Sequence, residues 1–156
     1  GCGILDHGGK VRASVRAAVE RGVLLDVGHG RGSFGWGVAE SALADDLSPH
    51  TISSDLHTYN VNGPVYDLAN VVSKFIYLGM EMEEALAKVT SIPARFLRLE
   101  DEIGTLKAGA RGDAVLFELR QGRFQLEDSY GEIRAGSQYL EPLAVIKKGA
   151  VHRQYG

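Results

Sequence analysis

The stretch VLLDVGHGRGSFGWGVAESALADDLSPHTISSDLH, residues 23–57, contains two short apolar runs and decides the fold prediction. The first run, residues 23–30, is rich in branched residues and ends near His29, and the second run ends near Asp55. Runs of this length are too short for helices and are typical of buried strands. We therefore predict two buried strands in this stretch.

The segment between the two runs predicts a loop and a helix. Residues 30–37 are rich in glycine, and residues 38–47 have a helical pattern that stops at Ser48 and Pro49. A strand, a helix and a second strand in this order are typical of a right-handed parallel crossover. The prediction is an α/β fold whose functional site lies at the carboxyl ends of the strands.

Outward from this stretch the chain changes character. Upstream, apolar residues at helical spacing from Val11 to Val19 predict a helix capped by Gly22. Downstream, helical patterns over residues 66–78, 82–89 and from Ile92 onward are followed by short β-like runs, among them RFQLEDSY and PLAVIKKGAVHRQ. The shift in composition near residues 99–104 divides the chain into predicted units 1–99 and 100–156.

Composition excludes several classes of protein. Of 156 residues, 44% are hydrophobic and 24% are charged, with a formal net charge of -3, so nothing indicates a nucleic-acid or membrane partner. Cys2 is the single cysteine, which excludes an internal disulfide, and the N-terminus has no signal-peptide pattern. We expect a cytoplasmic protein that acts on a small molecule.

Asp55 is the leading candidate for catalysis. A carboxylate at the carboxyl end of a parallel strand is well placed for chemistry. If strand geometry persists, alternation puts Asp55 and His57 on one side, so His57 is a candidate substrate contact. The structural alternative is an aspartate that caps the next segment or bonds to a loop.

His29 stands at the other predicted strand end, between Gly28 and Gly30, which would let a ligand approach the backbone. It is a candidate metal ligand, proton carrier or substrate contact, and the alternative is a loop histidine bonded to nearby carbonyl groups. No further ligands stand beside it in the sequence, so we favour a substrate contact or a structural role. Gly28, Gly30 and Arg31 are assigned with it to substrate binding.

A third stretch, PARFLRLEDEIGTLKAGARGDAVLFEL at residues 93–119, is the most specific signal. Together with LLDVGHG and ISSDLH, it resembles the amidohydrolase superfamily, in particular its dihydroorotase-like and deacetylase-like branch. In that family a P-A-x-x-L-like helix ends a barrel, and an I-G-x-L-x-x-G-x-x-A/G-D-x-V-like stretch leads into a β-sandwich. The matching residues are Pro93, Ala94, Leu97, Ile103, Gly104, Leu106, Gly109, Gly112, Asp113 and Val115.

The resemblance implies that residues 1–99 form the last two strands and helices of a (β/α)8 TIM barrel and that residues 100–156 form part of a small β-sandwich. It also implies one or two divalent metal ions, with zinc expected. By this resemblance Asp55 is the eighth-strand aspartate, both metal ligand and catalytic base, and His29 lies on the seventh strand as a pocket residue. A metal lowers the pKa of its bound water, and a nearby carboxylate can pass that proton to the leaving amine.

The other metal ligands of that family are missing from the sequence, which has no H-x-H pair, no lysine in fourth-strand context and no fifth- or sixth-strand histidine. Because a zinc site needs about three protein ligands, we expect an incomplete part that is inactive alone and binds no stoichiometric zinc. The expected partners are a substrate, the remainder of the barrel from a longer protein or another chain, and further copies of the chain in a homo-oligomer.

The implied function is metal-dependent hydrolysis of C–N amide or cyclic amide bonds, as in dihydroorotases and N-acyl amino acid deacetylases. Two alternatives stay open. One is deamination of adenine or cytosine by an enzyme of the same superfamily. The other is a non-catalytic binding or assembly fragment in which the glycine-rich loop and Asp55 serve structure alone.

Overall fold

Five helices and five strands occur in residues 3–154, the part of the chain that the computed structural model describes; Cys2 lies outside the described residues. Helices and strands alternate first, three helices follow, and three strands end the described chain. Their bounds are α1 Ala13–Glu20, β1 Asp26–Gly28, α2 Trp36–Ala44, β2 Thr51–Ser53, α3 Leu68–Tyr77, α4 Met82–Ala87, α5 Ser91–Phe96, β3 Ala114–Glu127, β4 Ile133–Lys147 and β5 Ala150–Gln154.

Strands β1 and β2 pair in parallel, as the sequence predicted. Val27 lies opposite Ile52, and Gly28 lies opposite Ser53. The pairing continues past the strand ends, where the His29 amide donates to the Ser53 carbonyl over 3.2 Å. Because α2 connects the two strands, the carboxyl ends of both strands lie at one edge of this small sheet. The mixed α/β class is therefore confirmed.

Both parallel strands are shorter than predicted. β1 begins at Asp26, and Val23 and Leu24, which the sequence placed in a buried strand, are 48% and 47% exposed. Within residues 3–154, β1 pairs only with β2, so no neighbouring strand extends the run or covers its other edge. The prediction of a buried strand was wrong for Val23 and Leu24 because burial depends on neighbours that sequence pattern does not reveal.

Helix α2 begins and ends earlier than predicted. It starts at Trp36, and its last turn closes through Asp46, whose φ is 55°. The Leu47 amide then donates to the Ala42 carbonyl over 2.8 Å, as in a Schellman motif with a non-glycine residue in the left-handed position. Aspartate tolerates this conformation better than most residues. The chain therefore leaves the helix before reaching Pro49.

Helix α3 carries the largest buried face of the described chain. Asp67 caps its first turn by accepting a hydrogen bond from the Asn70 amide over 2.7 Å, so the helix begins at Leu68 rather than at Tyr66. Its buried residues include Val71, Val72, Lys74 and Phe75. A lysine within such a face is unusual because burial removes its charge from water.

The predicted short strands after residue 113 are longer in the structure. β3 and β4 form one antiparallel hairpin, and β5 pairs with β4, giving a three-stranded sheet in the order β3-β4-β5. The first five residues of the run RFQLEDSY, 123–127, continue β3 beyond an irregularity between Gln121 and Phe124, and the last three lie in the turn that follows. The sequence prediction missed the first half of β4, where polar residues and Gly136 weaken the strand pattern.

One hydrophobic core joins the helices to the hairpin. Trp36, Val71 and Phe75 pack in the same cluster as Leu126 and Leu140, which come from β3 and β4. Burying a side chain of this kind stabilises the fold by about 1.5–3 kcal/mol. The core therefore contains residues from both sides of the predicted boundary near residues 99–104. No described helix has the length and apolar character required to cross a membrane.

Candidate active site

The carboxylate of Asp55 lies over the glycines that end β1. Asp55 follows the last residue of β2 by two positions and has a φ of 47°, in the left-handed region. A Cβ placed on Gly30 would lie 2.7 Å from Asp55 Oδ2, and one placed on Gly28 would lie 3.5 Å from Asp55 Cβ. Because the two glycines have no Cβ atom, the Asp55 side chain can occupy the space above them. Asp55 itself is exposed.

Strand alternation does not link Asp55 and His57. β2 ends at Ser53, and the left-handed residue at position 55 breaks the extended geometry on which the alternation depends. His57 is exposed and begins a turn, in which its amide donates to Asn60 Oδ1 over 2.7 Å and its Nδ1 accepts from the Tyr59 amide over 3.2 Å. The strand geometry therefore does not persist to Asp55, and the alternation expected on that condition does not apply.

Asn60 fixes the loop that carries Asp55. Its side chain is fully buried, and its Nδ2 donates to the Asp55 carbonyl over 2.8 Å. Its own carbonyl accepts hydrogen bonds from the amides of Gly63 and Val65 over 3.1 and 3.3 Å. The buried side-chain amide thus satisfies two backbone groups, the Asp55 carbonyl and the His57 amide, and the backbone carbonyl of the same residue holds the next turn. The sequence prediction did not identify Asn60, because nothing in a single asparagine marks it as buried.

His29 is fully buried, with a partner at each ring nitrogen. Nδ1 lies 2.9 Å from the Gly30 carbonyl oxygen, and Nε2 lies 2.8 Å from Lys74 Nζ. The ring stacks on Phe34, with 4.7 Å between centroids. Burial lowers the pKa of His29, with Lys74 acting in the same direction, so the ring is neutral at pH 7. In this conformation His29 exposes no atom to a ligand. Its surroundings are those of the alternative interpretation, a loop histidine bonded to a nearby carbonyl group.

Lys74 is a second residue of this site that the sequence prediction did not identify. It is fully buried on α3, where its Nζ contacts His29 and also donates to the Pro64 carbonyl over 2.8 Å. Burial lowers the pKa of Lys74 to about 8, against the opposing effect of Glu127 and nearby carboxylates. A charged residue within the apolar pattern LANVVSKFIY is the signal that could have identified it.

Asp26 joins the two strands through its side chain. Its Oδ1 accepts a hydrogen bond from Thr51 Oγ1 over 2.7 Å, and its Oδ2 accepts one from Ser53 Oγ over 2.5 Å. The Asp26 side chain thus has a structural role between the two strands. His50 also has a structural role, because its Nδ1 accepts a hydrogen bond from the Leu25 amide over 3.0 Å.

The turn between β3 and β4 holds the glycine-rich loop after β1. Ser129 Oγ donates to the His29 carbonyl over 3.1 Å, and the Ser129 amide donates to the Phe34 carbonyl over 2.9 Å. Asp128, which is buried, accepts from the Trp36 amide over 3.2 Å. Phe34 and Trp36 belong to the core, and Phe34 also lines an apolar cavity along β1 and α2. The C-terminal hairpin therefore fixes one edge of the site.

Two cavities lie near the strand ends, and of the predicted substrate-binding residues Arg31 lines one and Gly28 the other, while His29, Gly30 and His57 line neither. A polar cavity of about 330 Å³ is lined by Arg31, Tyr59, Asn62, Gly63, Pro64, Glu127, Asp128 and Ser129. An apolar cavity of about 370 Å³ runs along β1 and α2, with Gly28, Ser33 and Phe34 in its lining. Arg31 is exposed, and its Nη1 approaches the Tyr59 carbonyl at 3.4 Å.

The side chains of residues 3–154 do not by themselves make a metal site. Within this range no group of three His, Cys, Asp or Glu side chains is arranged to hold an ion. Asp55 is a suitable oxygen donor, but a single carboxylate provides fewer than the three protein ligands that zinc requires. His7 and His152 are exposed.

Comparison with known proteins finds relatives over most of the chain. The chain is 36% identical to a deacetylase from Enterococcus faecalis over 152 residues, which are 96% of this chain and 41% of the relative. It is 40% identical to a deacetylase from Agrobacterium fabrum over 131 residues, 83% of this chain and 32% of the relative. The chain thus spans about two-fifths or less of the length of these relatives.

Solved structures also match most of this chain and less than half of their own length. The crystal structure of an adenine deaminase matches 97% of this chain and 42% of its own, with a TM-score of 0.91 and 35% identity. The crystal structure of a dihydroorotase matches 90% of this chain and 39% of its own, with a TM-score of 0.76 and 33% identity. The sequence pattern of the amidohydrolase family covers residues 35–151. The chain belongs to the amidohydrolase family.

Proposed function

We propose that this chain is the C-terminal part of a metal-dependent hydrolase that cleaves C–N amide or cyclic amide bonds, with Asp55 as its catalytic base. The observation that carries the proposal is the position of the Asp55 carboxylate over Gly28 and Gly30, at the shared carboxyl edge of two parallel strands. Sites of parallel α/β folds lie at that edge. The named relatives, which are deacetylases, support the reaction class.

The proposed architecture is a barrel completed by residues outside this chain. β1 and β2 would be its last two strands, and the β3-β4-β5 sheet would be part of a small sandwich. The free edge of β1, with exposed Val23 and Leu24 and the apolar cavity beside it, supports this arrangement, because an uncovered strand edge and apolar surface need a partner. The same partner would supply the missing metal ligands.

In the proposed reaction, water attacks the carbonyl carbon of the amide. Asp55 accepts a proton from that water, the C–N bond breaks, and the proton passes to the leaving nitrogen, which gives a carboxylate and an amine. A positioned acid or base of this kind contributes about 10²- to 10⁴-fold to the rate. We propose that Asp55 also ligates a divalent ion, zinc by expectation, but the described residues do not complete that site, so no step is assigned to the ion.

We propose that the substrate lies against Arg31 and His57, which are both exposed. The Arg31 guanidinium lines the polar cavity, where it can pair with an anionic group. Gly28 and Gly30 would contribute closely approached backbone. His29 was assigned to the same group from the sequence, and its burial favours a supporting role over direct contact.

The test is the substitution Asp55→Asn in the complete protein, assayed for acetate release from N-acetyl amino acids and for ring opening of dihydroorotate. We expect kcat to fall by about 10²- to 10⁴-fold. A matched control is Asp46→Asn, because Asp46 is also exposed, also left-handed and lies at the end of α2. Full activity of the Asp55 variant would contradict the assignment.

A second candidate function is deamination of a nucleobase, and the close match to an adenine deaminase structure favours it. The chemistry differs only in the bond attacked, since water would displace ammonia from a ring carbon. Assaying ammonia release from adenine and cytosine beside acetate release from N-acetyl amino acids separates the two. Turnover of a base without turnover of any amide would replace the first proposal with the second.

A further inference from the structure

Lys74 lies between the two loops that follow β1 and β2. Its side chain reaches from α3, and its Nζ lies 2.8 Å from His29 Nε2 in the first loop and 2.8 Å from the Pro64 carbonyl oxygen in the second. The side chain is fully buried. One ammonium group therefore ties together two loops that lie far apart in the sequence.

Each loop is linked to Asp55 by a short series of contacts. In the first loop, the His29 ring bonds to the carbonyl of Gly30, whose Cα faces the Asp55 carboxylate. In the second loop, Pro64 lies between two residues whose amides both donate to the Asn60 carbonyl. The Asn60 side chain then donates to the Asp55 carbonyl over 2.8 Å. A movement of the Lys74 side chain would thus change the position of Asp55 through both loops.

We propose that Lys74 is a positioning residue for the catalytic carboxylate: it fixes the His29–Gly30 loop relative to the Asn60–Pro64 loop and so sets where Asp55 stands. This inference rests on the proposed function, because it assumes that Asp55 acts in catalysis. Lys74 touches neither Asp55 nor the exposed side of the site, so its effect is indirect.

The chemistry of the contacts explains why a lysine is needed here. An ammonium group has three donors and no acceptor. His29 Nε2 must therefore accept, which puts the ring proton on Nδ1, where it donates to the Gly30 carbonyl. An apolar side chain of equal length would fill the space without selecting this tautomer. Because a buried charge is in itself poor evidence of stabilisation, the directed contacts are the better explanation.

The carboxylates near Lys74 balance its charge at longer range. Glu127, Asp128 and Asp67 favour its protonated form, while burial lowers the pKa of Lys74 to about 8. The protonated form therefore predominates at neutral pH, and it is the form that the directed contacts require.

The experiment compares Lys74→Met with Lys88→Met in the complete protein. Lys88 is a matched control, because it is also buried and its Nζ also donates to a proline carbonyl, that of Pro49, at 2.6 Å. Pro49 precedes β2, so Lys88 acts at the end of the sheet away from Asp55. Both variants should melt at lower temperature. Only Lys74→Met should lose kcat, by about 10- to 100-fold, with KM changed less than kcat.

A spectroscopic measurement supplies a readout that stability does not move. In ¹⁵N spectra of the His29 imidazole, the wild type should show a protonated Nδ1 and an unprotonated Nε2. Lys74→Met should shift these resonances toward an average of tautomers, and Lys88→Met should leave them unchanged. An unchanged His29 spectrum in the Lys74 variant would overturn the proposal.

Two further variants test the positioning role of Lys74 if Lys74→Met does not fold. His29→Gln keeps an acceptor within reach of Lys74, whereas His29→Leu removes it, so kcat should fall further in the leucine variant. Equal kcat in the two variants, or unchanged kcat in Lys74→Met, overturns the positioning role, provided that Asp55→Asn shows its expected loss of kcat. A wild-type protein that hydrolyses no amide overturns the proposed function, and the positioning role with it.

Discussion

Glycine 30 shows how a single residue without a side chain makes room for a reactive one. Its φ of 51° is one that side-chain-bearing residues seldom adopt, and the space where its Cβ would stand is occupied by Asp55 Oδ2. The same position therefore combines a backbone requirement with a steric one. The sequence drew attention to Gly30 because it stands beside His29 at a predicted strand end. The structure identifies Asp55 Oδ2 as the atom that a side chain at position 30 would displace.

We predict that Gly30→Ala lowers the activity of the complete protein by about 10- to 100-fold, because the methyl group would push the Asp55 carboxylate out of place. The left-handed backbone should also cost about 1–2 kcal/mol of stability. The measurements are kcat/KM and the free energy of unfolding.

Gly9→Ala separates the two effects of the Gly30 substitution. Gly9 also has a positive φ, 76°, but nothing lies within 4 Å of an added Cβ. This control should be destabilised by a similar amount and keep its activity. If both variants lose activity to the same extent, displacement of Asp55 is not the cause.

At the scale of elements, the hairpin turn between β3 and β4 holds the loop after β1. Asp128 Oδ1 accepts from the amides of Tyr130 and Glu132 over 2.8 and 2.9 Å, while Oδ2 accepts from the Trp36 amide. Trp36 Nε1 donates to the Glu132 carbonyl over 3.0 Å. Both carboxylate oxygens are thus occupied, and the turn and the start of α2 depend on one side chain.

We predict that Asp128→Asn destabilises the protein by about 1–3 kcal/mol, because either orientation of the new amide would place an NH₂ group against a backbone N–H. Differential scanning calorimetry of the complete protein measures the change.

Asp113→Asn is the matched control for that substitution. Asp113 is exposed and uses one oxygen, Oδ1, to accept from the Lys148 amide over 2.8 Å. An asparagine keeps that acceptor, so its effect should stay within about 0.5 kcal/mol. A destabilisation of the Asp128 variant no larger than this would show that the turn is held by other contacts.

The described molecule has a main core and a smaller one, and both strands of its parallel sheet have an uncovered edge within residues 3–154. Helices α2 and α3 and the β3–β4 hairpin share buried residues, among them Trp36, Phe75 and Leu126. β1, in contrast, pairs on one side alone within residues 3–154, and its flanking residues Val23 and Leu24 are exposed. A partner on this edge would bury apolar surface and complete the strand's hydrogen bonds.

We predict that the 156-residue chain alone holds less than stoichiometric zinc after exchange into zinc-free buffer, because Asp55 by itself cannot replace three ligands. Elemental analysis measures the ion, circular dichroism checks that the chain is folded, and the complete protein prepared in the same way is the control. One tightly held zinc per chain, lost on Asp55→Asn, would contradict the prediction.

The sequence by itself determined the order of strands and helices and the family. Two short apolar runs around a helix predicted the parallel pair, and the stretch from Pro93 to Val115 carried the resemblance that the family match confirms. These features are local patterns, readable because periodicity and turn residues act over a few positions. The carboxylate at the end of the second run, Asp55, was also visible in this way.

Only the tertiary structure decided which residues support that carboxylate. Lys74 contacts His29, 45 positions away, and although the apolar pattern around Lys74 hints at its burial, nothing local in the sequence names that partner. Asn60 contacts Asp55, and nothing in a single asparagine marks that contact. The structure also decided that His29 faces inward and that Asp55 leaves the strand. Both outcomes depend on how segments far apart in the sequence pack together, and this packing cannot be read from the pattern of neighbouring residues.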